Sequence, residues 1–200
     1  MELLKERIRR DGKVKDGHII KVDGFLNHQI DINLLEEIGK EFRRIFGGEN
    51  ITKIITIEAS GIAVACLTAM YFNVPVVFAK KSESKNIDGE VYRSKVTSYT
   101  RGHDYTVILE KKYLTSKDRI LIIDDILATG KAQRGLLDIS KQAGAYVAGI
   151  GVVIEKGFQG GGDQLRAEGY NVQSLAIIDS MENNTVLFSM LSMMARLCTL

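Results

Sequence analysis

The chain is poor in the residues that signal special architectures: two cysteines, one proline and no tryptophan in 200 residues. Cys66 and Cys198 lie far apart with no metal-like spacing. Two reduced thiols in a cytoplasmic protein are therefore expected, rather than a disulfide framework or a zinc site. A single proline, Pro75, excludes a proline-rich linker. Charge of one sign is not in excess either. The 27 Lys and Arg against 25 Asp and Glu leave a net charge of +2, too small to argue for a nucleic-acid partner. No apolar run reaches the ~20 residues of a membrane span. The first seven residues include Glu2, Lys5, Glu6 and Arg7 where an export signal needs an apolar core, so none is expected. No internal repeat or low-complexity tract is present. What remains is an ordinary globular composition, 45% hydrophobic and 26% charged, read as one domain over 1–200 with a sizeable core.

Against that background residues 119–132 stand out. Ile120 to Ile123 form an apolar run without a polar break, as expected of a parallel strand covered on both faces. Asp124 and Asp125 follow at once, read as lying at the strand end, and then the turn Ala128, Thr129, Gly130. Ala132, Leu136, Ile139 and Ala143 continue as one helical face, with Gly144 where a C-terminal glycine belongs. A turn that feeds a helix presents backbone N–H groups and the positive end of the helix dipole, which is an anion site. Gly130 lets a phosphate approach, and Thr129 offers a hydroxyl. The two acids cannot bind phosphate, but they can grip sugar hydroxyls or a metal ion. A phosphorylated ribose accompanied by Mg²⁺ carries all of these groups.

The rest of the chain alternates. Residues 1–10, with Leu3, Leu4 and Ile8, read as a short amphipathic helix. Asp11-Gly12 and Asp16-Gly17 bracket a hairpin, and Ile19, Ile20 and Val22 form a strand. Phe25 to Gln29 is a polar cluster among apolar neighbours; it either lines a site for a flat polar ligand or satisfies local backbone. Asn33 with Glu36 reads as a capping box for a helix through Leu34, Leu35, Ile38, Phe42 and Ile45, ended by Gly47-Gly48. Lys53 to Ile57 is a strand that ends in the small-residue turn Glu58, Ala59, Ser60, Gly61. Ile62, Ala65, Cys66 and Ala69 mark the next helix, and Val76 to Ala79 a further strand. Such alternation predicts an α/β fold with a mostly parallel central sheet, whose ligands sit at the carboxyl ends of its strands. Residues 80–105 break the rhythm with a polar stretch rich in Lys and Arg. They read as a lid that meets phosphates or as a solvated insertion, part of which (Val91 to Tyr99) alternates as a hairpin arm. Val107 to Leu109 then returns to the sheet. Tyr146 to Glu155 is a long strand leading into Lys156, Gly157, Phe158 and Gln159. Asp163 is a cap for a helix over 164–168, Val172 to Ile178 a last strand, and the apolar tail 186–200 a helix against the body or a partner.

The 119–132 stretch resembles the binding motif for 5-phosphoribosyl 1-pyrophosphate (PRPP) of the type I phosphoribosyltransferases. Further segments are Asn27-His28-Gln29, Ile57 to Ile62, Val74 to Ala79 and Ile154 to Phe158. With the motif they are similar, over nearly the whole chain to about residue 180, to the bacterial xanthine phosphoribosyltransferases. The resemblance implies the type I fold: a core over about 33–180, a small hood from about 1–32 and 156–185, and a lid over about 80–105. It implies transfer of the 5-phosphoribosyl group of PRPP to N9 of xanthine, with Mg²⁺ brought by PRPP, in a cytoplasmic homodimer that binds neither nucleic acid nor membrane.

Residue by residue, Asp124 and Asp125 are implied to hold the ribose hydroxyls. Ala128, Thr129, Gly130, Lys131 and Ala132 would receive the 5′-phosphate, and Glu58, Ala59, Ser60 and Gly61 the pyrophosphate. Lys80, Lys81 and Tyr99 would close over the leaving group. Ile20, Asn27, Lys156 and Phe158 would frame the purine. Many hypoxanthine-guanine enzymes place an Asp just before the Thr-Gly pair, and here Ala128 stands there. No protein carboxylate is then expected at the base, which suits an oxygen-rich purine that is already partly anionic. Other readings remain open: the same chemistry on guanine, hypoxanthine or adenine, a non-catalytic PRPP-sensing regulator, or a phosphoacceptor receiver domain. A regulator would need a DNA-binding domain, for which the residues before the first core helix are too few. A receiver would place its acids after the first strand.

Overall fold

The computed structural model describes residues 1–17, 19–81, 89–97, 104–182 and 185–189. The chain opens with α1 (Glu2–Asp11), which buries Leu4 and Ile8 and leaves Leu3 exposed. The predicted hairpin follows as β1 (Lys13–Lys15) and β2 (Ile19–Lys21), paired antiparallel. Asp16 and Gly17 turn it with positive φ values of 53° and 68°. Residues Asp23–Asn27 form one wide π-helical turn that seats Phe25 and Leu26 fully in the core. α2 (Ile32–Phe46) is capped by Asp31, whose carboxylate accepts from the Leu34 N–H at 3.1 Å. The expected Asn33–Glu36 box is thus displaced, because the acid one position before the helix reaches the orphan amides first. Gly47 stays right-handed, at φ −65°.

The central sheet has six strands in the order β10-β9-β8-β7-β3-β4. β3 (Lys53–Ile57), β4 (Val76–Ala79), β7 (Arg119–Leu127), β8 (Tyr146–Lys156) and β9 (Val172–Glu182) are mutually parallel, and β10 (Thr185–Phe188) is an antiparallel edge. The start of the tail thus continues the sheet, where a helix was expected, because Val186 and Leu187 find open ladder partners in Met181 and Ser180. Residues 190–200 lie outside the described residues. α3 (Gly61–Phe72), between β3 and β4, buries Val64, Ala65, Thr68 and Ala69 but leaves Cys66 exposed, which corrects the predicted face.

The predicted excursion at 80–105 holds β5 (Val91–Thr97) and β6 (Asp104–Glu110), a two-stranded antiparallel ribbon outside the main sheet. Val107 to Leu109 therefore belongs to the arm, where Ile108 bridges to Lys80 beyond the end of β4 and Val107 and Leu109 pack against the sheet. α4 (Lys131–Ala143) follows β7 and closes at Gly144, with φ +69°. α5 (Gly161–Ala167) follows β8. It is capped by Gly160, so Asp163 lies inside its first turn and pairs with Arg166 at 3.2 Å.

Two apolar clusters sandwich the sheet. One joins α1, the π-turn, α2 and α3 to Leu121 and Ile123; the other joins α4, α5 and the β5–β6 arm to Ile120 and Ile122. Residues Ile120 to Ile123 of β7 alternate between them, which is why this run is apolar without interruption. Among the described residues no helix is long and apolar enough to cross a membrane.

Candidate active site

Strand β7 does not stop at Ile123. It runs on to Leu127, with Ile126 beside Ile154 and Leu127 beside Glu155. The acid pair is therefore inside the strand rather than after it, and the alternation of side chains sends its two members to opposite faces. Asp124 turns toward α4, where its Oδ2 accepts from Gln133 Nε2 at 2.7 Å and its Oδ1 from the Asp125 N–H at 3.0 Å. Asp125 turns toward the N-terminal segment, where its Oδ2 accepts from Asn27 Nδ2 at 3.1 Å. Asp124 and Asp125 are only 3% and 6% exposed. Burial first, and the charge of Asp125 second, push the Asp124 carboxyl well above the usual range.

Ala128, Thr129 and Gly130 form the turn into α4 as predicted. Gly130 takes φ +79°, a conformation open to glycine at little cost. Lys131 and Ala132 open the helix, so residues 128–132 carry the free backbone N–H groups of a helix N-terminus beside the acids. Gly161 packs directly behind this turn. Its N–H donates to the Ala128 carbonyl at 3.2 Å, and a Cβ on it would lie 2.5 Å from the Thr129 carbonyl carbon and 2.6 Å from the Gly130 nitrogen.

The second small-residue turn, Glu58 to Ser60, leads into Gly61 at the start of α3, directly under Asp124. A Cβ on Gly61 would lie 3.0 Å from Asp124 Oδ1. The Glu58–Ala59 peptide is cis. Glu58 Oε1 accepts from the Lys81 N–H at 2.6 Å, which ties this turn to the base of the arm. The two adjacent lysines diverge. The Lys81 ammonium lies 5.5 Å from the Tyr105 ring centroid and acts favourably on the Asp124 charge. Burial and that same carboxylate raise the Tyr105 hydroxyl. Lys80 instead lines a cavity of about 300 Å³ with Val76, Phe78, Ile108 and Tyr113 on the β4 edge, so the structure does not bring it to the acid pair. Tyr99 lies outside the described residues.

Of the residues expected around the purine, Asn27 is at the acid pair and Ile20 is buried in the N-terminal core. Lys156 ends β8, half-buried, and burial lowers its ammonium. Phe158 sits 42% exposed on a 3₁₀ turn, Gly157–Gln159. Glu155 points into the body. It is 1% exposed and accepts from Arg166 at 2.5 and 2.9 Å and from the Ser174 hydroxyl at 2.5 Å. Alternation then places Lys156 on the opposite face, the one that carries Asn27 and Asp125. Among the described residues no three His, Cys, Asp or Glu side chains converge as metal ligands.

A strand that carries an acid pair and feeds a glycine turn at a helix N-terminus, with a second small-residue turn under the acids, offers the kinds of groups that a phosphorylated sugar would need. The family model described as the phosphoribosyl transferase domain matches residues 22–192. The chain belongs to the phosphoribosyltransferase family. Its relatives include a xanthine phosphoribosyltransferase of Lachnoclostridium phytofermentans, 60% identical over 190 residues that cover 94% of this chain and 98% of that protein. The xanthine phosphoribosyltransferase of Bifidobacterium longum is 56% identical over 186 residues, 92% of this chain and 96% of that one. Among solved structures, the adenine phosphoribosyltransferase of Rhodothermus marinus aligns with a TM-score of 0.72 at 20% identity, covering 89% of this chain and all of that one. That of Leishmania donovani aligns with a TM-score of 0.70 at 15% identity over 96% and 92%. These two share the type I phosphoribosyltransferase fold.

Gln133 at the site and Arg166 behind it went unread in the sequence, and Gly161 was read only as part of a Gly160–Gly162 turn. Each acts on a residue from a different element, which leaves no local signature.

Proposed function

We propose that this phosphoribosyltransferase salvages xanthine, transferring the 5-phosphoribosyl group of PRPP to N9 and releasing xanthosine 5′-monophosphate and pyrophosphate. The observation that carries the reading is the meeting of Asn27 with Asp125, where a purine-edge donor and a ribose-gripping acid are adjacent. Relatives named xanthine phosphoribosyltransferase, one of them 60% identical to this chain, support the choice of base.

In this reading Asp125 and Asp124 hold the ribose hydroxyls beside the cationic C1′ that develops as its bond to pyrophosphate breaks. The leaving electron pair goes to the pyrophosphate oxygen, and N9 supplies the pair of the new bond from the opposite face. Residues 128–132 fix the 5′-phosphate, while Glu58 to Gly61 with Lys81 receive the pyrophosphate. The protein contributes position and charge rather than a covalent intermediate. Lys156 meets the oxygen-rich edge of the purine and stabilises its anionic form. Ala128 leaves no carboxylate at the base, as suits a base already ionised. The excursion over 80–105 excludes water from the activated sugar. The donor set fits a Mg²⁺ ion held by substrate phosphates and water better than a protein cage, because the Asp124 oxygens already have partners. The ion would neutralise the departing pyrophosphate.

The hood over 1–32 and 156–185 is assigned to the base, and the core over 33–180 to PRPP. The enzyme is read as a cytoplasmic homodimer. Exposed Met70, Phe78 and Tyr113 near the β4 edge support such an interface.

The test is an absorbance assay with PRPP and Mg²⁺, offering xanthine, guanine, hypoxanthine and adenine separately. Turnover with strong preference for xanthine is expected. Preference for another base would remove the assignment of Asn27 and Lys156. PRPP binding without turnover on any base would make the protein a sensor.

A further inference from the structure

We infer that Gln133, in the first turn of α4, is a positioning residue that holds the Asp124 carboxylate in register with the phosphate turn. The inference rests on the reading of Asp124 as a ribose-binding acid and deepens it.

Gln133 is 1% exposed, and its Nε2 donates to Asp124 Oδ2 at 2.7 Å. A primary amide is costly to bury without a partner. The other carboxylate oxygen accepts the Asp125 N–H at 3.0 Å. Each oxygen of Asp124 thus has one fixed donor, and the plane of the carboxylate is set by two backbone elements, β7 and the start of α4. The same turn of α4 begins at Gly130 and carries Lys131 and Ala132. One helical turn therefore sets both the cradle for the 5′-phosphate and the acid assigned to the sugar at its other end. The distance between the two, which must match a ribose 5-phosphate, passes through the Gln133 side chain.

The remaining surroundings of Asp124 cannot do this. Asp125 is a like charge, Lys81 and Tyr105 act from the arm, and the Thr56 hydroxyl is buried without a partner in the structure. Gly61 offers only backbone. Gln133 is the neutral donor that reaches Asp124 from the phosphate-binding helix.

Two variants separate holding from mere filling. Gln133→Met keeps the volume and removes the donor. Gln133→Glu keeps the length and donates only when protonated, since a protonated carboxyl is a donor and an ionised one an acceptor. Steady-state kinetics with xanthine and PRPP would be measured from acid to alkaline pH, with thermal unfolding alongside. For Gln133→Met, kcat/KM for PRPP is expected to fall at least about tenfold at every pH, with KM for xanthine nearly unchanged. For Gln133→Glu the loss is expected to be small at the acid end and to deepen as pH rises, a limb absent from the wild type and from Gln133→Met.

Wild-type kcat/KM in a folded Gln133→Met variant overturns the inference. So does a Gln133→Glu pH profile parallel to that of the wild type, and this second result decides alone if Gln133→Met does not fold. If the wild type turns over no base, the functional reading fails instead. Calorimetric PRPP binding to wild type and Gln133→Met then tests Gln133 by itself: weaker binding to the variant supports the inference, and equal binding overturns it.

Discussion

Asn27 and Asp125, 98 residues apart in sequence, meet through a 3.1 Å hydrogen bond from the Asn27 amide to the Asp125 carboxylate. This contact joins the N-terminal segment to the central strand at the point where base and sugar would meet. Hydrogen bonds to charged groups contribute about 1.5–3 kcal/mol. Asn27→Ala is therefore expected to raise KM for xanthine by about tenfold or more, with a smaller effect on KM for PRPP. Steady-state kinetics with each substrate varied in turn would check this. A larger effect on PRPP than on xanthine would place Asn27 on the sugar alone.

Asp124 makes the site costly to the fold. Its carboxyl is raised well above the ordinary value of 3.8 by burial and by Asp125. Above that value the unfolded chain gives up this proton while the folded chain keeps it. The folded state thus binds more protons, and stability falls as pH rises toward the raised value. Asp124→Asn removes the ionisable group and can keep an oxygen for Gln133. It is expected to melt higher than wild type, by at least about 3 °C near neutral pH, and to lose most turnover. Melting curves recorded from about pH 5 upward should show the gap widening with pH until the raised value is passed. A gap that narrows as pH rises would contradict the sign.

Gly161 stands behind the Ala128–Gly130 turn with no room for a side chain. A Cβ there would press on the Ala128 carbonyl and lie 2.5 Å from the Thr129 carbonyl carbon. Backbone rather than a flexible side chain must move to admit it. Gly161→Ala is expected to raise KM for PRPP by about an order of magnitude or more while KM for xanthine changes little. Equal effects on both substrates would mean that the displacement spreads to Lys156.

Arg166 compensates a carboxylate that water cannot reach. Glu155 is 1% exposed, and its charge is balanced by an Arg166 side chain that is 32% exposed. Truncating one partner of a buried pair leaves the other unpaired, at about 3 kcal/mol for a pair open to solvent at one end. Arg166→Met is therefore expected to lower the melting temperature by ~6–12 °C, and Arg166→Met with Glu155→Leu to recover most of it. A double variant no more stable than the single one would show that the pair's worth lies elsewhere.

The layered α/β plan was legible in the amino-acid pattern. An apolar run such as Ile120 to Ile123, closed by a turn, reads as a strand covered on both faces, and the helical spacing of Leu35, Ile38 and Phe42 follows from one buried stripe. The turn into α4 was legible too, because Ala128, Thr129 and Gly130 are consecutive residues whose backbone conformation glycine permits. The Asp16-Gly17 hairpin and the Gly144 stop were legible for the same local reason. The tertiary structure alone decided what each acid faces. Asp124 and Asp125 read as an equivalent pair at a strand end, but β7 extends to Leu127 and its pleat assigns one to α4 and the other to Asn27. The divergence of Lys80 and Lys81, the strand made by Thr185 to Phe188, and the partners Gln133, Gly161 and Arg166 were settled in the same way. A contact between residues far apart in sequence leaves no periodic trace in either of them, and only the packing of one element on another brings it about.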